Sequence, residues 1–199
     1  HNARGALSEE HPLSIGLVGW IGLKPTNGYL ENSDLIIAIG ASLSDYTTSD
    51  WKRINPDASI VHITMRPREL NRQYVADVNV MADSTSAIVD LNGKLSISKK
   101  DISFKNISSV ARKEYQDARE SIFNVKETRG ENGVDPAPIL HLLDGFAGDY
   151  SFVTGGGIHA KFARHLPVTS INGHFGTLNF SGMSQGLPLA MGAQIALDE

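Results

Sequence analysis

The sequence has no cysteine, which excludes disulfide cross-links and thiolate metal sites and fits a reducing cytoplasm. It has no apolar run approaching the roughly 20 residues that cross a bilayer. Its opening, HNARGALSEEHP, lacks a signal-peptide hydrophobic region. These absences predict a cytoplasmic protein with no membrane partner. Positive charge is scarce as well: 18 Lys and Arg against 22 Asp and Glu leave a net charge of −4, and the basic residues are spread thinly. Nothing there predicts a nucleic-acid partner. No internal repeat or low-complexity segment stands out. What is present is an ordinary globular composition, 41% apolar and 20% charged over 199 residues, enough for one large domain or two modest ones.

The first stretch, residues 1–23, reads as glycine-punctuated loop. Residues 26–33 read as a short helix. DLIIAIG (34–40) and SIVHITM (59–65) are apolar runs too short for buried helices, hence buried parallel strands. Pro67 to Tyr74 reads as a helix, Val78 to Met81 as a third strand, and Asp83 as the cap of a helix carrying Ala87, Ile88, Leu91 and Leu95. Polar residues 96–106 read as a linker, followed by a helix over about 107–126 with an apolar face from Ile107 to Val125. RGENG (129–133) is a turn. Asp135 and Pro136 open a helix carrying Ile139, Leu140, Leu142 and Leu143. SFVT (151–154) and VTSI (168–171) read as strands around a glycine-led helix, GGGIHAKFARHL. The chain closes on SGMSQGLPLAMGAQIALDE, a Gly/Ser-rich bend feeding a helix with Pro188 near its start and Ala190, Ala193, Ile195 and Ala196 buried. Strands alternating with helices predict α/β architecture: two doubly wound, parallel-sheet, Rossmann-like units, both incomplete. The expected division is 1–95, a connecting segment 96–134, and 135–199.

Two stretches carry the chemistry. In TGGGIH (154–159) three glycines after a strand let the backbone approach an anion, the helix start favours phosphate, and His159 can add a donor. A tight strand-to-helix turn with a solvent-facing histidine is the alternative, and spacing does not separate the two. In SGMSQGLP (181–188) a glycine-rich bend brings backbone groups up to a ligand, or Met183 fills a core gap as methionine does well. His11 and His62 lack metal-like spacing, and Asp45 and Asp50 read as turn residues.

SGMSQGLP followed by the Ala/Gly-rich helix resembles the loop and helix of thiamin-diphosphate enzymes related to the acetolactate synthase large subunit. HPLSIGLVGWIG (11–22), DLIIAIGASLSDYTT (34–48), IVHITMRPREL (60–70) and MADSTSAIVDL resemble successive landmarks of that family's central domain, and nearly the whole chain is covered. The resemblance implies that residues 1–95 are part of the central domain and 135–199 the start of the diphosphate-binding domain, so that the chain is an internal fragment. It implies that Gly157 and His159 lie at the cofactor diphosphate. It places Met183, flanked by Gly182, between the two rings of thiamin, and lets the Ser181 carbonyl accept from the 4′-amino group. The family aspartate and glutamine near the diphosphate are here Gly155 and Ile158; Ser184 and Gln185 replace a glycine and an apolar residue.

The implied activity is decarboxylation of a 2-keto acid and ligation to a second carbonyl, as in branched-chain amino acid biosynthesis, by a homodimer or homotetramer. Simple decarboxylases and cyclic-dione hydrolases share the scaffold, and a non-catalytic binding or subunit-interaction module of the same fold is the alternative class. The magnesium ligands and the activating glutamate are expected outside this chain, which is therefore expected to be inactive by itself. Some relatives hold flavin (FAD) in the central domain. Ser42 in place of an arginine, and Thr64 and Arg66 in place of two aspartates, argue against it, since acidic residues after such strands hold ribose hydroxyls.

Overall fold

The computed structural model describes residues 3–97, 105–123, 129–130, 133–134, 137–146, 150–176 and 182–197. The chain divides into two compact units, Leu17–Ile107 and a unit formed by His1–Gly16 with Ser108–Glu199. Both are α/β with parallel strands, the class the alternation of apolar runs predicts.

In the unit Leu17–Ile107, Asn27 of helix α1 (Lys24–Glu31) anchors a 3₁₀ turn at Gly19–Ile21. Its Oδ1 accepts from Gly19 N at 2.8 Å and its Nδ2 donates to Gly19 O at 2.9 Å. Strands β1 (Leu35–Ile39), β2 (Ser59–Ile63) and β3 (Val78–Val80) form a parallel sheet in that order, with Ile37 opposite Val61 and Val61 opposite Val78. Parallel neighbours require crossovers. The first contains the short helix α2 (Asp45–Thr48), and its side of the sheet carries a core of Ala38, Leu43, Ile54, Ile60 and Ala76. Helix α3 (Ser84–Ile97) follows β3, and Asp83 caps it as expected, its Oδ1 accepting from Ser86 N at 3.0 Å.

The expected helix over 67–74 is only a 3₁₀ turn, Pro67–Glu69. Thr64 holds the Glu69 carboxylate, and the backbone turns left-handed at Asn71 (φ 54°), whose Oδ1 accepts from Ala76 N at 3.0 Å. A side chain that caps its own downstream backbone competes with helix continuation.

The other unit contains most of helix α4 (Lys105–Phe123), the antiparallel pair β4 (Arg129–Gly130) and β5 (Gly133–Val134), helix α5 (Ala137–Asp144), strand β6 (Phe152–Thr154), helix α6 (Ile158–Ala163), strand β7 (His174–Gly176) and helix α7 (Gly186–Leu197). The proposed caps Asp135 and Pro136 lie outside the described residues. Its core is Phe123, Leu140 and Leu166, with Phe152, Phe162 and Ala163 packed against it.

The strand expected at 168–171 is instead His174–Gly176, which pairs with β6 in parallel, Val153 opposite Phe175. Val168 is buried but not in a sheet, because both its backbone groups are taken by Glu9. Its carbonyl accepts from Glu9 N at 2.9 Å and its N–H donates to Glu9 Oε2 at 3.2 Å. The same carboxylate is gripped by Arg4 at 2.7 and 2.8 Å, and Arg4 also donates to Leu166 O, fastening the first residues to 166–168.

The burial expected for α7 is not found. None of its residues is buried and Ile195 is 76% exposed, because the helix is apolar on every face while the strands it packs against, β6 and β7, are only three residues each. Among the described residues no helix is long and apolar enough to cross a membrane.

Candidate functional site

The ends of the parallel pair β6 and β7 carry both chemistry-bearing stretches. Beyond Thr154 the chain turns through Gly155, Gly156 and Gly157 into α6. Gly157 has φ 138°, outside the range of side-chain-bearing residues, so a glycine is required there. A Cβ on Gly157 would also lie 3.0 Å from His159 Nδ1. The bend at Gly182–Gln185 leads into α7. Gly156 N donates to Gly182 O at 3.3 Å, and a Cβ on Gly186 would lie 3.1 Å from Gly155 N. Two glycine-rich segments some 26 positions apart (156 to 182) are thus packed backbone to backbone, most tightly where Gly186 meets Gly155.

Met183 is 82% exposed, so it fills no gap in a core here. His159 is exposed on the first turn of α6. Gln185 lies over Gly182: a Cβ on Gly182 would come within 2.8 Å of the Gln185 carboxamide, so the glycine makes room for this long side chain. Of the residues singled out from sequence, Gly157, His159, Gly182 and Met183 lie on this pair of joined turns. Ser181 lies outside the described residues. His62 does not belong here; it is buried on β2, its Nε2 donating to Ala41 O at 2.8 Å. Among the described residues, no group of three or more His, Asp or Glu could hold a metal ion.

Two participants escaped the sequence reading. Thr154 Oγ1 and His174 Nε2 are hydrogen-bonded at 3.1 Å across β6 and β7, immediately before the glycine turn. Burial pushes the His174 pKa down to about 4, helped by Arg4 and Arg164, so the ring is neutral at neutral pH and braces the strand end without charge. A signal would have required knowing the register of β7, which the pull of Glu9 on Val168 shifts away from the most strand-like residues.

The arrangement suits a phosphorylated ligand. Gly155 and Gly157 put no side chain over the turn, two helices begin at the turns, and His159 and Met183 are exposed on them, one a donor and the other an apolar surface. The glycine turn at φ 138° before α6, with an exposed histidine on the helix's first turn, is chemically compatible with the diphosphate of thiamin diphosphate.

Comparison with known proteins points the same way. Residues 1–91 match the family model for the central domain of thiamine pyrophosphate (thiamin diphosphate) enzymes. The chain is 28% identical to a probable acetolactate synthase large subunit from Methanocaldococcus jannaschii, over 97% of this chain and 33% of that protein. It is 41% identical to a probable acetolactate synthase large subunit from Methanococcus aeolicus, over 41% of this chain and 14% of the relative. It is 28% identical to the mitochondrial acetolactate synthase catalytic subunit of Saccharomyces cerevisiae, over 98% of this chain and 30% of that protein. The chain thus spans about a third of the length of the curated relatives it matches end to end.

Proposed function

We propose, for a chain whose residues 1–91 match the family model for the central domain of thiamine pyrophosphate enzymes, that the full-length protein carries out acetolactate synthase-like, thiamin-diphosphate-dependent decarboxylation and ligation of 2-keto acids. The observation that carries this reading is the Gly156 N to Gly182 O hydrogen bond, which joins the glycine turn to the Met183 bend. When bound, thiamin diphosphate would supply a nucleophilic carbon for the keto group and an electron-accepting ring for the decarboxylation.

The roles of this chain's own residues are those the family resemblance implies. Gly157 keeps the turn open to the diphosphate, and His159 donates to a diphosphate oxygen. Met183 presses on the thiamin from below, with Gly182 beside it giving the bend its shape and Ser181, carried over from the resemblance alone, offering its carbonyl. Magnesium is held by residues beyond these, and the working form is a cytoplasmic homo-oligomer. The exposed apolar residues Leu187, Met191 and Ile195, four apart along α7, support association, since such a stripe is rarely left in water. The division expected from sequence, 1–95 and 135–199 around a connecting segment, is proposed as the arrangement of functional domains.

A non-catalytic binding or interaction module is the second reading. It is favoured by Gly155, which offers no carboxylate and packs its backbone on Gly186. Isothermal calorimetry of the full-length protein with thiamin diphosphate and magnesium separates the two. Saturable binding, followed by release of carbon dioxide from pyruvate, is the expected outcome. Absence of binding at millimolar cofactor would sink the first reading.

A further inference from the structure

In open parallel α/β sheets, ligands enter at the carboxyl ends of the strands, where a dinucleotide needs two things. One is a free acidic group for the ribose hydroxyls. The other is a helix start with unspent N–H groups for the pyrophosphate. At the ends of β2 and β3 the described residues supply neither, and the acid after β1, Asp45, stands on a four-residue helix.

At the end of β2, Thr64 is buried. Its hydroxyl donates to Glu69 Oε2 at 3.0 Å and accepts from Arg66 N at 3.1 Å. Arg66 reaches over the same carboxylate, Nη1 to Oε1 at 3.2 Å. Glu69, the acid held at that strand end, therefore has both oxygens engaged, one of them by an arginine. At the end of β3, the N-terminus of α3 is filled from within. Asp83 accepts from Ser86 N and the Ser86 hydroxyl, and these bonds, with those from the Thr85 and Ser84 amides, hold its carboxyl below the usual range. A carboxylate in that position repels a pyrophosphate and has taken its donors. At the end of β1, Gly40 turns at φ 61° with Ser84 Oγ 3.0 Å from where a Cβ would be, and the Ala41 carbonyl is spent on His62. Ser42, exposed beside it, brings no positive charge to an anion.

We infer that this rim is closed to a flavin dinucleotide by the chain's own Thr64–Arg66–Glu69 clasp and Asp83 cap, so that the protein holds no flavin in its central-domain crevice. The inference stands apart from the thiamin reading, because it uses no residue of the β6–β7 site.

The test uses the full-length protein, freshly purified, with its melting transition recorded to show that it is folded. Bound flavin is sought by visible absorbance, and FAD and, separately, ADP are titrated with fluorescence quenching and calorimetry as readouts; thiamin diphosphate is titrated in the same preparation. The expected result is no co-purifying flavin and dissociation constants above about 1 mM for both nucleotides, a thousandfold weaker than a micromolar site. Stoichiometric flavin, or micromolar binding of either nucleotide, would overturn the inference whatever the thiamin titration gives. Their absence in the folded protein upholds it even if thiamin diphosphate fails to bind.

Discussion

Arg4 and Glu9 are both nearly out of water, joined by two hydrogen bonds, with Leu166 O and Val168 N completing the network. A buried pair of this kind adds little over a well-packed apolar pair, but removing one partner strands the other's charge. Arg4→Ala is expected to cost about 3–5 kcal/mol in chemical denaturation, whereas an Arg4→Met/Glu9→Leu double variant recovers most of that loss. The same arginine acts on two histidines. His165 and His174 are both pushed down to about 4, first by burial and then by Arg4 with Arg119 or Arg164. Their folded values lie below the unfolded value of 6.5, so between these pH values the unfolded chain binds more protons and stability rises with pH. Stability is therefore complete above about pH 6.5 and is lost as pH falls toward 4. Thermal melts across that window are expected to show the decline, and His165→Asn/His174→Asn to flatten it; an unchanged slope would contradict the burial argument.

At the scale of elements, glycine illustrates how position decides sign. Gly157 sits at φ 138° in the turn before α6, whereas Gly93 lies within α3 with nothing near its absent Cβ. Gly157→Ala is expected to cost on the order of 1–3 kcal/mol through backbone strain, and to weaken thiamin diphosphate at least about tenfold by moving the cradle. Gly93→Ala is expected to stabilise by up to about 1 kcal/mol, because alanine loses less entropy in a helix. Denaturant midpoints for both variants, with calorimetry for the first, check the contrast. Strands β1, β2, β3 and β6 were legible in the sequence because short apolar runs bounded by turn residues have few other places to go. The helix expected over 67–74 and the strand expected over 168–171 were not. In each case a side chain, Asn71 or Glu9, captures backbone groups that the local pattern assigns to regular structure. Periodicity carries no trace of such capture, least of all when, as with Glu9 and Val168, the partners are 159 residues apart.

On the scale of the whole molecule, the candidate site was legible as two motifs, but not as one place. TGGGIH and SGMSQGLP each announce a close backbone approach, and it takes the Gly156–Gly182 bond and the Thr154–His174 brace to make them a single site. The first residues are hydrogen-bonded to 166–168, so the unit that contains the site includes a segment from the other end of the sequence. Each unit has its own core, and this leads to a sharp expectation. Leu166→Ala removes a side chain that is 2% exposed and packs with Phe123 and Leu140, at a cost of about 2–5 kcal/mol. Hydrogen exchange should then rise at the amides of Glu9, Val168 and β6, while β1 and β2 keep their protection. Ile60→Ala, in the core of the other unit, should produce the reverse pattern, leaving Glu9 and Val168 protected. If Leu166→Ala loosens β1 and β2 as much as β6, the two units unfold as one and the separation of their cores has no energetic meaning.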